Sequence, residues 1–101
     1  MKKITLIFII IFLNNQVSAD DKMQLGFKVY NEKAMCGACH TLKSAKSSGN
    51  IGPNLDQLKP SIEQIEYVVK YGIGAMQAWE GILTQKEIEA VAYYVFTNTN
   101  E

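Results

Sequence analysis

Three residue types in one short run could do chemistry. Cys36-Gly37-Ala38-Cys39-His40 sets two thiols three positions apart and an imidazole directly after the second. That Cys-x-x-Cys-His spacing is the attachment signal for a covalent haem. Two thioethers form at the two vinyl groups on one edge of the macrocycle, and the next residue is aimed at the iron. His40 is the only histidine, so no other imidazole competes for that role. Three plainer readings stand beside it. A thioredoxin-like pair belongs in a βαβ pattern, which this sequence lacks. A zinc site wants four ligands, and two Cys with one His leave it short. A bare disulfide leaves His40 without a purpose.

A six-coordinate iron needs a second axial ligand, and a methionine there raises the potential. Once an exported leader is removed, Met23, Met35 and Met76 remain. Met35 adjoins the attachment run, on the side of His40. Met23 falls in a helical stretch. Met76 lies in a Gly-rich loop far along the chain, where backbone could cross the opposite face. A buried methionine as core filler is the plainer reading of Met76.

The elements that must position these residues read as three helices. The first spans about Lys22 to Met35, with Leu25, Val29 and Tyr30 on one face. Gly26 inside it costs roughly 0.5–1 kcal/mol against Ala, which suggests close approach of another backbone. The second starts after Pro60, with Ser61 and Gln64 as a capping box, Ile62, Ile65, Val68 and Val69 as its stripe, and Gly72 as its stop. The third starts at Thr84, with Glu87 as capping partner and Ile88, Val91, Ala92, Tyr94 and Val95 buried. A long irregular segment joins the Cys run to Pro60, and no stretch alternates as a strand. The expected class is all-α, with long loops around one cofactor.

The chain has 101 residues, enough for one domain. Residues 1–19 read as a signal peptide, since Lys2 and Lys3 precede an apolar run that ends near Val17-Ser18-Ala19. That run is roughly ten residues, against about 20 for a bilayer span. An uncleaved anchor is the alternative, and residues 20–101 form the domain. Lys+Arg and Asp+Glu are both 10. Two lysines leave with the leader and no acid does, so eight lysines face ten acids and the formal charge becomes −2. Without a basic patch, nucleic acid is not an expected partner. A domain this small gains most from a staple or cofactor.

Taken together, these residues resemble the single-haem class I cytochrome c family over essentially all of 20–101. Gly26 and Tyr30 resemble that family's glycine–aromatic pair, which crosses the last helix, here at Val91 and Tyr94. Gly52-Pro53-Asn54-Leu55 resembles its Gly-Pro-Asn-Leu loop, which implies that the Pro53 carbonyl accepts the Nδ1–H of His40. Gly74-Ala75-Met76-Gln77-Ala78-Trp79 resembles its Gly-x-Met-Pro-Ala-aromatic segment, which implies Met76 as axial ligand and Trp79 as a haem-packing residue. Gln77 departs from the usual proline, which loosens the unfolded loop by about 0.4–1 kcal/mol. A weakened methionine–iron bond is therefore expected, visible as loss of the ferric methionine charge-transfer band already below about pH 8. A band that persists well into alkaline solution would contradict this.

The resemblance implies the cytochrome c fold, one haem c on Cys36 and Cys39, and a monomeric electron-transfer protein rather than an enzyme. The donor would be a quinol-oxidising complex and the acceptor a terminal oxidase or reductase. The alternative is a dedicated haem subunit of a periplasmic dehydrogenase. Export implies the periplasm, with a thylakoid lumen as the other possibility. No membrane span is expected after cleavage. Lys43 and Lys46 could form a docking rim, against the plainer reading of a solvated loop.

Overall fold

The computed structural model describes residues 18–100; the signal-peptide reading of 1–19 falls almost wholly outside them. Helix α1 covers Ala19–Lys28 and starts at Ser18, whose hydroxyl accepts from the Asp21 amide at 3.2 Å. Asp20 and Asp21 in the first turn and Lys28 in the last complement the helix dipole. The chain continues as a π-helical turn over Val29–Lys33, closed by the Ala34 amide on the Val29 carbonyl at 2.8 Å. Val29 and Tyr30 are fully buried there. The first helical run thus starts three residues earlier than periodicity suggested. It ends where Met35 turns left-handed, at φ 49°.

Two features of the long connection escaped a reading by periodicity. Thr41–Leu42 (β1) and Ser47–Ser48 (β2) pair antiparallel, Thr41 with Ser48 and Leu42 with Ser47. A two-residue strand is too short to show alternation, so the expectation of no strand is corrected here. Leu55–Leu58 forms a single turn of helix, α2, capped by the Asn54 side chain at 3.2 Å from the Gln57 amide. One turn likewise carries no 3.6-residue period.

Helices α3 (Ile62–Tyr71) and α4 (Gln85–Thr99) match the capping signals. Both capping boxes form: Ser61 with Gln64, and Thr84 with Glu87. Gly72 ends α3 at φ 75°. Its left-handed backbone is cheap only for glycine.

The core lies where α1 and α3 pack on α4, through Tyr30, Ile65, Val69, Ile88, Val91 and Val95. Each such buried aliphatic contributes roughly 1.5–3 kcal/mol relative to exposure. The α1–α4 crossing is set by Gly26. A Cβ there would stand 2.2 Å from the Ala90 carbonyl oxygen and 2.5 Å from Tyr94 Cβ. The close approach expected of Gly26 is thus against Ala90 and Tyr94. Tyr94 then packs between Phe27, edge-on at 5.9 Å, and Tyr30 at 5.7 Å. Among the described residues, no helix is long and apolar enough to cross a membrane.

Glu87 ties the first turn of α4 to the π turn. Its carboxylate accepts from Lys33 Nζ and, through Oε1, from the Thr84 amide at 3.0 Å. The Lys33 hydrogen bond, then that of Thr84, holds the Glu87 carboxyl below its ordinary value, although burial opposes this. A depressed folded pKa adds stability above the ordinary carboxylate range and loses it as pH falls through the folded value. Glu87→Gln is therefore expected to lower the melting temperature at neutral pH. It should also shrink the gap between melting temperatures at neutral pH and in acid, both read by circular dichroism.

Candidate haem site

The Cys run is a tight 3-10 turn over Cys36–Ala38, closed by the Cys39 and His40 amides on the Cys36 carbonyl at 3.1 and 3.0 Å. Its outer side is held by the hairpin. A Cβ on Gly37 would meet Ser47 Cβ at 2.6 Å, so turn and hairpin lie in contact. Ser47 Oγ is 2.9 Å from the hydroxyl of Tyr30 and also accepts from the Leu42 amide at 3.1 Å. Burial pushes the Tyr30 phenol up to about 12, against the Ser47 hydrogen bond, so it stays a neutral anchor between the first helical run and the hairpin.

His40 is positioned from the other side. Its Nδ1 lies 2.7 Å from the Pro53 carbonyl oxygen. A carbonyl can only accept, so Nδ1 carries the proton and Nε2 keeps a free lone pair, the tautomer a metal requires. The Gly52 amide donates to the Cys39 carbonyl at 2.7 Å, and Thr41 Oγ1 donates to the Gly49 carbonyl at 3.0 Å. These bonds lay the 49–53 strap against the attachment turn. Gly52 has no room for a side chain: a Cβ would stand 2.5 Å from His40 Cε1 and 2.8 Å from Nδ1. Gly52→Ala should therefore push the ring off Pro53. The expected result is a loss of about 1–3 kcal/mol from overpacking, seen as an earlier denaturant midpoint, together with a shifted reduction potential. An unchanged potential would show that the ring does not depend on this strap.

The far wall comes from the loop after α3. Ile73 and Met76 exchange amide–carbonyl bonds at 3.1 and 2.9 Å, which closes a tight turn over Gly74 and Ala75. The Trp79 amide donates to the Val69 carbonyl at 2.8 Å and the Glu80 amide to that of Lys70 at 3.2 Å, returning the loop to α3. Met76 and Trp79 are partly buried against the core.

Cys36, Cys39, His40, Pro53, Met76 and Trp79 all line one cavity of about 960 Å³. Met23 does not: it lies in a separate cleft, with its sulfur 3.6 Å from Asn98 Nδ2. Met35 lines the cavity but is exposed, beside Cys36. Val91 and Val95 form part of the wall. Their sequence signal was the buried stripe of α4, which says apolar without saying what it faces. Gly52 was marked in the sequence only through the Gly-Pro-Asn-Leu resemblance; its own requirement is steric and arises across the fold.

The cavity suits a large apolar group: its lining is mostly apolar and its volume lies at the upper end of cofactor sites, roughly 300–1,000 Å³. Burial, aided by Cys39, pushes the Cys36 thiol up to about 11. Among the described residues, no three His, Cys, Asp or Glu side chains are grouped to hold a metal ion by themselves. Fold and cavity together define a small helical protein built around one covalently held haem.

Comparison with known proteins agrees. Residues 21–95 match the family model described as cytochrome c oxidase, cbb3-type, subunit III. The c-type cytochrome SorU from Sinorhizobium meliloti superposes with a TM-score of 0.76 at 46% identity, over 81% of this chain and 95% of that one. Cytochrome c6 of Tetradesmus obliquus is 38% identical over 74 residues, 63% of this chain and 79% of its own. Cytochrome c6 of Euglena gracilis is 57% identical over 35 residues, 35% of this chain and 40% of its own length. The chain belongs to the single-haem class I cytochrome c family. With that family come the cytochrome c fold, one covalent haem c and the role of a haem-based electron carrier.

Proposed function

We propose that the protein is a diffusible, monomeric one-electron carrier in which His40 and Met76 are the two axial ligands and Cys36 and Cys39 the covalent anchors. Bound in this cavity, haem c supplies a reversible ferric–ferrous couple. The chain does the rest. Pro53 fixes the His40 tautomer, and the bond to its carbonyl makes the imidazole a stronger donor. Trp79, Val91 and Val95 exclude water from the cavity, which lowers the local dielectric and limits reorganisation on electron transfer. The doubly bonded Ile73–Met76 turn restrains the loop in place of the proline that Gln77 replaces.

The observation that carries this reading is the convergence of His40 and Met76 on one cavity, from loops 36 residues apart in sequence. A haem open for catalysis or gas sensing would leave one axial position free. Mixing the dithionite-reduced holoprotein with carbon monoxide tests this. No spectral change on the stopped-flow timescale is expected; rapid formation of a carbonyl spectrum would overturn the proposal.

Export before haem attachment supports the periplasm as the working compartment, in keeping with the likeness to a Sinorhizobium meliloti cytochrome. A thylakoid lumen is the alternative, since one relative is the chloroplastic cytochrome c6 of Chlamydomonas reinhardtii. Donor and acceptor would be membrane or soluble redox proteins of that compartment, such as a quinol-oxidising complex and a terminal oxidase or reductase. A dedicated haem subunit of a dehydrogenase would use every residue identically and differ only in the lifetime of the complex. Recovery of the native protein alone or with a catalytic subunit separates the two.

A further inference from the structure

The attachment turn rests on a seat that lies outside the haem cavity. Ser47, in the second strand of the hairpin, and Gly49, just after that strand, press against residues 37–39. A Cβ on Gly37 would meet Ser47 Oγ at 3.3 Å as well as Ser47 Cβ. A Cβ on Gly49 would stand 2.6 Å from the Cys39 carbonyl carbon and 2.7 Å from that of Ala38. A glycine on each side thus lets the two backbones meet. None of Tyr30, Ser47 and Gly49 lines the cavity. The seat therefore supports the turn from its outer side, while the Gly52–Pro53 strap holds His40 from the other.

One hydroxyl fixes the seat to the rest of the fold. Ser47 Oγ accepts from the Leu42 amide at 3.1 Å, donates to the Leu42 carbonyl at 3.4 Å and lies 2.9 Å from the Tyr30 hydroxyl. A serine hydroxyl offers one proton and two lone pairs, and these three partners use all of them. With its proton on the Leu42 carbonyl, Ser47 accepts from Tyr30. Tyr30 is fully buried, so its hydroxyl cannot turn to solvent instead. Its ring packs in turn on Tyr94 of α4. Among the described residues, this is the one side-chain hydrogen bond between the first helical run and the hairpin. The helical core carries the seat through it.

We propose that Tyr30 and Ser47 are positioning residues for the haem: their bond holds the seat against the attachment turn, and through that turn it fixes the two thioether anchors and His40. The inference rests on the electron-carrier reading, with Cys36, Cys39 and His40 in the roles given above. Without the bond the turn gains freedom against its seat. Water then reaches the thioether edge, favours the ferric charge and lowers the reduction potential. Neither side chain lines the cavity, so an effect on the potential has to travel through the turn.

The test compares the holoprotein variants Ser47→Ala, Tyr30→Phe and the two combined. Each lacks the same bond. All three are expected to show a lower reduction potential than wild type, and by the same amount, because one bond can be lost only once. Hydrogen exchange at the Cys39 and His40 amides, which close the turn on Cys36, should quicken about tenfold in each. Stability should follow a different order. Ser47→Ala leaves the Tyr30 hydroxyl buried and unpaired, and the double variant recovers part of that loss. A role in stability alone would give this order with an unchanged potential, and that result would overturn the proposal. So would shifts in potential that add in the double variant, since the two residues would then act separately. Tyr30→Phe keeps the ring and leaves Ser47 bonded to Leu42, so it decides the matter even if Ser47→Ala does not fold. Failure of the electron-carrier reading is distinguishable, because it appears as carbon monoxide binding by the reduced wild-type protein whatever the potentials.

Discussion

With Met76 as the proposed second axial ligand, Met76→Ala should leave one axial position of the iron open. The reduced variant is expected to bind carbon monoxide rapidly, and the ferric variant to lose the methionine charge-transfer band. The reduction potential should fall, because thioether sulfur favours the ferrous state over water or hydroxide. Axial ligands tune haem potentials over about 0.8 V, so the shift should be large beside the effect of any other single residue in the lining. The physical case rests on position. Met76 is part-buried in the cavity wall, and its backbone is doubly bonded to Ile73. Truncation therefore removes the sulfur and leaves the loop intact. The measurement is a visible spectrum with a redox titration. A variant with unchanged potential and no carbon monoxide binding would show that another group holds the iron.

Gly26→Ala is expected to be the most damaging small change outside the site. In an exposed helix the substitution would gain about 0.5–1 kcal/mol of backbone entropy. Here the added Cβ would fall 2.2 Å from the Ala90 carbonyl oxygen. That atom is helix backbone and cannot swing aside, so α1 and α4 must separate. Separation loosens the stack of Phe27, Tyr30 and Tyr94 that packs beside the crossing. Overpacking costs about 1–3 kcal/mol and should outweigh the entropy gain. In a domain of this size each kcal/mol moves the melting temperature by roughly 4–8 °C. Thermal unfolding of the ferric holoprotein by far-ultraviolet circular dichroism reads the shift. A variant as stable as wild type would mean that the crossing relaxes freely, and Gly26 would then have no structural role.

Both predictions concern a domain too small to be held by its apolar side chains alone. A cavity of about 960 Å³ with a mostly apolar lining is large for a domain of this size. With the cofactor in place the same apolar walls become buried surface, and its two covalent anchors keep it from dissociating. Folding and cofactor retention are therefore coupled, and changes at Gly52 or Met76 should be read in both stability and spectrum.

Much of this was legible in the chain. Five contiguous residues named the cofactor, because covalent attachment demands fixed spacing within one turn. Both capping boxes and the stripes of α3 and α4 were readable, because they depend on neighbours three and four positions away. The tertiary structure decided what depends on distant segments. It carried the Gly52–Pro53 strap across to His40, placed Ala90 against Gly26, and joined Tyr30 to Leu42 through Ser47. It also placed Met35 and Met76 on the cavity wall and Met23 in a separate cleft. The short ladder and the single turn of α2 were hidden because neither is long enough to show a period.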